Sequence, residues 1–114
     1  DYSEIASVIV SEITNLQITI TVHCDSYPSE ASWNVRNEQT GQNIFAYDKT
    51  FSSSGQIQTE VLMLEPGSYS VRCYDSYGDG GIEGIVINQQ NDVLVSWDNN
   101  DYGSFGNFNF TVSR

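Results

Sequence analysis

Alternation of apolar and polar residues is the feature that most constrains the fold of this 114-residue chain. From Leu16 to Cys24 every second side chain is apolar, which is typical of a β-strand with one buried face. Eight short strand-like runs separated by turn residues are predicted, at 16–24, 31–38, 43–48, 56–64, 68–74, 82–88, 93–97 and 107–112. This rhythm predicts an all-β, antiparallel β-sandwich of jelly-roll type.

Residues 1–14 precede this rhythm and are interpreted as an N-terminal arm, with the sandwich domain at 15–114. The aliphatic residues of the arm combine a helical spacing with a β-branched run, so the pattern leaves both helix and strand open. These residues are Ile5, Val8, Ile9, Val10 and Ile13.

The charge balance excludes several classes of partner. Four Lys and Arg face fifteen Asp and Glu, for a formal net charge of −11. Nucleic acid and anionic membrane surfaces are therefore poor partners. No apolar run reaches the length of a membrane span, which argues against membrane insertion. The acidic excess opposes folding through self-repulsion, and bound cations would relieve it.

Strand parity places the acidic residues together. Each strand of an antiparallel sandwich carries the chain to the opposite end, so the connections after the first, third, fifth and seventh strands share one end. These are the long connections, and they contain most of the loop carboxylates. The expected members of this acidic rim are Asp25, Glu30, Asp48, Asp75, Asp79, Asp98 and Asp101.

The segment 73–81 has the composition of a cation-binding loop. Asp75 and Asp79 lie four residues apart and glycines follow, so oxygen ligands on a tight turn would suit calcium. An EF-hand does not fit, because Tyr77 and Val86 occupy its third and twelfth positions. A polar turn without a metal remains the alternative.

The two cysteines are predicted to pair. Cys24 and Cys73 are each the last inward-facing residue of a predicted strand, next to the acidic rim. A small secreted domain most simply joins two such residues in a disulfide. Two buried free thiols are the alternative.

Three features indicate an extracellular, secreted protein. Lys is scarce while Ser, Thr, Asn and Tyr are abundant, and the chain begins at Asp1 rather than Met, which suits a processed secreted protein or an excised domain. Asn109 begins an Asn-Phe-Thr sequon, which predicts a glycoprotein if the source is a eukaryote.

The motif at 75–80, with the upstream segment 25–33, resembles a family of secreted β-sandwich modules. Such modules are often appended to extracellular peptidases and other surface proteins of aquatic microbes. The resemblance implies a jelly-roll-like sandwich and an accessory or adhesive role. It also implies a calcium site at Asp25, Glu30, Asp75 and Asp79. At position 82 the chain has Ile where many relatives have a Cys soon after this motif, which leaves the disulfide pattern open.

The residues favour a non-enzymatic function. The single histidine, His23, falls on the polar side of a strand, and no nucleophile elbow, zinc motif or phosphate loop is present. Two functions remain. The leading interpretation is a structural subunit that self-assembles head-to-tail into a filament through the arm at 1–14, with an arm that folds back on its own sandwich as the alternative for that segment. The alternative is a calcium-dependent carbohydrate- or cell-surface-binding module, in which Tyr27, Tyr77 and Tyr102 stack on the ligand.

Overall fold

The computed structural model describes residues 15–25, 31–47, 51–76, 78 and 81–113. It confirms an antiparallel β-sandwich of eight strands. Among these residues no helix is long and apolar enough to cross a membrane. The arm at 1–14 lies outside the described residues, so its predicted role stays a prediction. The strands are β1 (Leu16–Cys24), β2 (Ala31–Asn37), β3 (Asn43–Tyr47), β4 (Ile57–Leu64), β5 (Gly67–Asp75), β6 (Ile82–Asn88), β7 (Val93–Trp97) and β8 (Phe105–Val112).

Two four-stranded sheets form the sandwich. The first sheet has the order β4-β1-β6-β7 and the second has the order β3-β2-β5-β8, with every pairing antiparallel. Each half of the chain therefore contributes one pair of strands to each sheet. The two halves join where β1 pairs with β6 and where β2 pairs with β5.

The core lies between the inner faces of the two sheets. Ile18, Ile20 and Val22 of β1 are almost fully buried, while the residues between them are partly exposed. Trp33 and Val71 cover them from the second sheet and are also buried. Burial of apolar surface is the main favourable contribution to folding, so this alternation fixes which face of each strand points inward.

Strand registers confirm the parity argument for the loops. Cys24 at the end of β1 pairs with Ile82 at the start of β6, and Asp75 at the end of β5 pairs with Ala31 at the start of β2. The connections after β1, β3, β5 and β7 therefore lie at one end of the sandwich. We call it the acidic end, because its described residues include Asp25, Asp75, Asp98 and Asp101.

The predicted disulfide between Cys24 and Cys73 is wrong for this structure, in which both residues are buried free thiols. Cys24 belongs to the first sheet and Cys73 to the second, and each thiol has its own partner. The Cys24 Sγ donates a hydrogen bond to the carbonyl oxygen of Ser53 at 3.3 Å. Burial raises the pKa of Cys73, and a hydrogen bond with Trp97 acts in the opposite direction. The two residues lie at the same end of the sandwich, but their thiols have different hydrogen-bond partners.

Candidate functional site

Two carboxylates are fixed to the sandwich at the acidic end. Asp75 occupies the last inward position of β5 and is only 2% exposed. Its amide donates a hydrogen bond to the carbonyl of Ser104 at 3.0 Å. Asp25 follows β1, and its amide donates to the carbonyl of Gly81 at 2.9 Å. At the acidic end, the backbone at the ends of β1 and β5 is thus hydrogen-bonded to neighbouring loops.

Gly81 provides a close approach to the Asp25 carboxylate. The backbone at Gly81 has φ +140°, a region that favours glycine. A Cβ atom at this position would lie 3.6 Å from the Asp25 Oδ2 atom. This is an ordinary van der Waals distance, so the positive φ rather than crowding favours glycine at this position.

Tyr102 joins the two carboxylates into one cluster. Its hydroxyl accepts a hydrogen bond from the Ile82 amide at 2.9 Å. Burial raises the pKa of Tyr102, and so do the nearby Cys73, Asp75 and Asp25, against the opposing effect of the hydrogen bond from Ile82. Asp25, just after β1, and Asp75, at the end of β5, therefore both oppose ionisation of the Tyr102 phenol.

A stack of aromatic rings holds Tyr102 in place. The rings of Trp97 and Phe108 are parallel within 4° at 4.6 Å, and Tyr102 meets Phe108 edge-on at 5.8 Å. This packing requires glycine at two positions. A Cβ at Gly84 would lie 2.4 Å from Trp97 Cζ2, and one at Gly106 would lie 2.7 Å from Phe108 Cε2.

The structure describes two of the four predicted calcium ligands. Asp25 and Asp75 are described, whereas Glu30 and Asp79 lie outside the described residues. Within the described part of the chain, no group of three or more His, Cys, Asp or Glu is arranged to hold a metal. Calcium takes six to eight oxygen ligands, so two carboxylates are a partial shell. The complete ligand set stays a prediction.

A pocket of about 400 Å³ lies beside the acidic end, at the first sheet. His23 lines it and contacts Glu83 through an Nδ1–Oε1 distance of 2.7 Å. The sequence placed His23 on the polar face of a strand, but it gave no sign of this partner. The other lining residues are Thr21, Gly84, Ile85, Ser96, Trp97, Asp98 and Asp101.

The outer face of the second sheet combines polar and aromatic side chains. Strand pairing aligns Asn34 of β2 with Arg72 of β5, and Arg72 with Asn107 of β8. At the edge nearest the acidic end, the exposed rings of Tyr74 and Phe105 contact each other at 5.4 Å. We call this surface the polar face. Its members are Asn34, Arg36, Arg72, Tyr74, Phe105, Asn107 and Asn109.

Three atoms of the polar face are buried without a hydrogen-bond partner. They are the Asn34 Oδ1 and the Nε atoms of Arg36 and Arg72. An unsatisfied buried polar group costs about 1–3 kcal/mol, so each needs an explanation. The Arg72 guanidinium lies 4.8 Å from the centre of the Phe105 ring. No described carboxylate forms an ion pair with Arg72.

Sequence reasoning missed the polar face. The outward residues of β2, β5 and β8 were treated as solvent-facing, because alternation separates inside from outside and says nothing about which outward residues meet. One signal was present. Two of the four basic residues of the chain, Arg36 and Arg72, occupy outward positions of two predicted strands.

No family model matches this chain, and no curated protein is detectably similar to it in sequence. Several solved structures resemble the chain at low sequence identity. A deletion variant named Delta413-417:GS LOX has a TM-score of 0.49 at 10% identity over 85% of this chain. The chain spans only 16% of the length of that protein.

Two further structures match most of their own length. One is a calcium-dependent carbohydrate-binding module, with a TM-score of 0.45 at 14% identity, 82% of this chain and 90% of that chain. The other is a protein of the DUF4425 family from Bacteroides ovatus. Its TM-score is 0.37 at 15% identity, and the match covers 87% of this chain and 95% of that chain.

Proposed function

We propose that this chain is a non-enzymatic, calcium-dependent binding module for carbohydrate or cell-surface ligands that acts outside the cell. One observation carries the proposal. Asp75 and Tyr74 are consecutive residues of β5, and the first is buried at the acidic end while the second is exposed on the polar face. A cation bound at the carboxylate would therefore act directly on the strand that carries an exposed aromatic ring.

Calcium is the cation that suits these ligands. Asp25, in the connection after β1, and Asp75, at the end of β5, supply two carboxylates, and Glu30 and Asp79 are the proposed additional ligands. A hard divalent cation prefers oxygen ligands of this kind. Binding would reduce the repulsion within a chain of net charge −11 and would stabilise the native state, since the unfolded chain lacks the site.

The calcium site would control the ligand surface through the backbone. The Asp75 amide donates to Ser104, and Phe105 follows at once as the first residue of β8. Tyr74 and Phe105 are paired across β5 and β8. Fixing Asp75 therefore fixes both rings of an exposed pair, and aromatic rings of this type offer the apolar surface on which sugar rings pack.

A sedimentation assay with insoluble polysaccharides tests this function. The protein is mixed with several washed polysaccharides in excess calcium or in excess chelator, and the bound fraction is measured. We expect binding to at least one polysaccharide in calcium and its release by chelator. Failure to bind any of them, or binding that chelator leaves unchanged, would show that the proposed function is wrong.

Self-assembly is the second candidate function, and the edge strand β4 favours it. Ile57, Val61 and Met63 project from β4 and are more than half exposed. An edge strand has unpaired backbone groups that a strand from another molecule can satisfy. The donor would be the arm at 1–14, through Ile5, Val8, Ile9, Val10 and Ile13.

Sedimentation velocity distinguishes this candidate. If the arm docks on β4 of the next subunit, the full chain forms concentration-dependent oligomers, and Val61→Asp shifts it to the monomer. Val61 is exposed, so the substitution leaves the core intact. A full chain that stays monomeric at high concentration would remove the filament interpretation.

A further inference from the structure

We infer that the polar face binds a neutral sugar ring. Arg36, Arg72 and Asn34 would supply hydrogen bonds, and the Tyr74–Phe105 pair would supply the apolar platform. This inference rests on the proposed binding function and adds the location of the site and the class of ligand.

The buried atoms that lack a hydrogen bond indicate a ligand that both donates and accepts hydrogen bonds. The Nε atoms of Arg36 and Arg72 are donors, and the Asn34 Oδ1 is an acceptor. A sugar hydroxyl can serve either role, because its oxygen accepts while its hydrogen donates. A sulfate group, or a fully ionised phosphate group, has no hydrogen with which to satisfy the Asn34 oxygen. The combination therefore favours a polyhydroxylated ligand over a simple anion.

Strand geometry brings these groups within the reach of one ring. Arg36 is directly opposite Ser70, and Arg72 lies two residues further along β5. The two arginines are thus diagonal neighbours, about 7–8 Å apart at the backbone. Asn34 is directly opposite Arg72 and is only 5% exposed, so a ligand would reach its Oδ1 once neighbouring side chains move. Both arginine side chains are partly exposed, so a change of rotamer can present each guanidinium to a ligand lying on the sheet.

The aromatic pair suits the apolar side of the same ring. Tyr74 and Phe105 are 37% and 44% exposed, which is unusual for rings that could pack in a core. Arg72 lies over Phe105, so the hydrogen-bonding groups and the apolar platform are continuous. A pyranose has C–H groups on one side and hydroxyls at its rim, and this surface offers a matching contact to each.

Charge decides between neutral and acidic glycans. The chain carries a formal net charge of −11, and Glu38 lies beside Arg36 at an Nε–Oε2 distance of 4.0 Å. The chain as a whole would repel a polymer with an acid on every residue, and this repulsion opposes the local attraction of Arg36 and Arg72. The ligand is therefore a neutral glycan.

The test uses the intact protein in calcium and a fixed panel of soluble polysaccharides. The neutral members are a β-glucan, a xylan, a mannan and a galactan; the acidic members are polygalacturonate and dextran sulfate. Dissociation constants are measured for the wild type, Arg72→Ala, Phe105→Ala and two controls. The controls are Val93→Ala, an exposed apolar residue of the first sheet, and Glu83→Gln in the pocket beside His23.

We expect the wild type to bind a neutral polysaccharide and neither acidic one. Arg72→Ala and Phe105→Ala should each weaken binding about tenfold or more, since a hydrogen bond to a charged group and an aromatic contact are each lost. The two controls should bind as the wild type does. Circular dichroism of each variant checks that the sandwich is retained.

Chemical-shift mapping with the same polysaccharide needs no variant and gives a second measurement. Amide shifts should cluster at Asn34, Arg72, Tyr74, Phe105 and Asn107. If the amide shifts cluster instead around His23 and Ser96, and Glu83→Gln rather than Arg72→Ala loses binding, this inference is wrong. The proposed function would then remain intact. Preferential binding of the acidic polymers would show that the ligand is not a neutral glycan. Absence of binding to every member would remove both proposals.

Discussion

Tyr74 and Asp75 are neighbours in sequence, yet their side chains lie on opposite faces of the second sheet. Asp75 is buried at the acidic end, and Tyr74 contacts Phe105 on the polar face. The two-residue period of a strand makes this separation unavoidable. A single peptide unit therefore joins the residue of the acidic end to the aromatic residue of the polar face.

Calcium should raise the melting temperature of the protein, and Asp75→Asn should abolish most of the rise. The reason is mass action, which at a calcium concentration a hundred times the dissociation constant stabilises a protein by about 2.7 kcal/mol. Thermal unfolding in calcium and in chelator measures the effect. Glu65→Gln, at the opposite end of the sandwich, is the matched control and should keep the full response. Identical melting of the wild type in both solutions would contradict a calcium site.

The two cysteines should behave as free, protected thiols. A thiol reagent should label neither Cys24 nor Cys73 in the native protein, because both are buried and burial raises the pKa of Cys73. Two equivalents should react in denaturant without any reductant. The intact mass should be the same with and without reductant. A mass lower by two hydrogens before reduction would show that a disulfide forms after all.

Alkaline solution should destabilise the fold through Tyr102. The pKa of Tyr102 is raised above its ordinary value of 10.0, mainly by burial. Below pH 10 the residue is neutral in both the folded and the unfolded chain, so its contribution is constant. Above pH 10 the unfolded chain loses the proton first, and stability falls as pH rises.

The free energy of unfolding at pH 8 and pH 11 measures this effect. Tyr102→Phe should lower stability at pH 8, because the Ile82 amide loses its acceptor, and should show a smaller further loss at pH 11. An equal further loss in both proteins would show that Tyr102 does not titrate as described.

Gly84→Ala should destabilise the sandwich by about 1–3 kcal/mol, the usual cost of overpacking a core. The new Cβ would lie 2.4 Å from Trp97 Cζ2, and Trp97 is held from the other side by Phe108. Gly67→Ala is the control, because its nearest contact is the flexible end of Gln39 at 3.1 Å. Urea denaturation of the two variants compares them. Equal stabilities would mean that the aromatic stack tolerates displacement.

Asn109 stays a predicted glycosylation site. It is exposed, and its Oδ1 accepts a hydrogen bond from Asn107 Nδ2 at 3.0 Å. Because it lies on the polar face, a glycan there would cover the proposed ligand surface.

The strands were predictable because burial leaves a periodic signal in the sequence. The alternation predicted both ends of β1 correctly. The strand β8 begins at Phe105, two residues earlier than predicted. The gathering of Asp25 and Asp75 at one end also followed, since it needs only strand parity. These features depend on local pattern and chain direction.

Other features depend on which strands meet, and alternation does not specify that. The neighbours of β1 are β4 and β6, and neither follows it directly in the chain. Without this order the Arg72–Phe105 contact and the meeting of Asn34 with Arg72 could not be foreseen. The disulfide prediction failed because alternation shows that Cys24 and Cys73 both face inward without showing what each thiol meets in the core.

The most direct test of the account is a calcium titration of the wild-type protein with and without a saturating neutral polysaccharide from the panel that binds. Coupling between two sites is reciprocal, so a ligand that requires calcium must also tighten calcium binding. The account predicts a lower calcium midpoint when the polysaccharide is bound, and Asp75→Asn should remove the shift. An identical midpoint in both titrations would show that the acidic end and the ligand surface act independently, and would contradict the account.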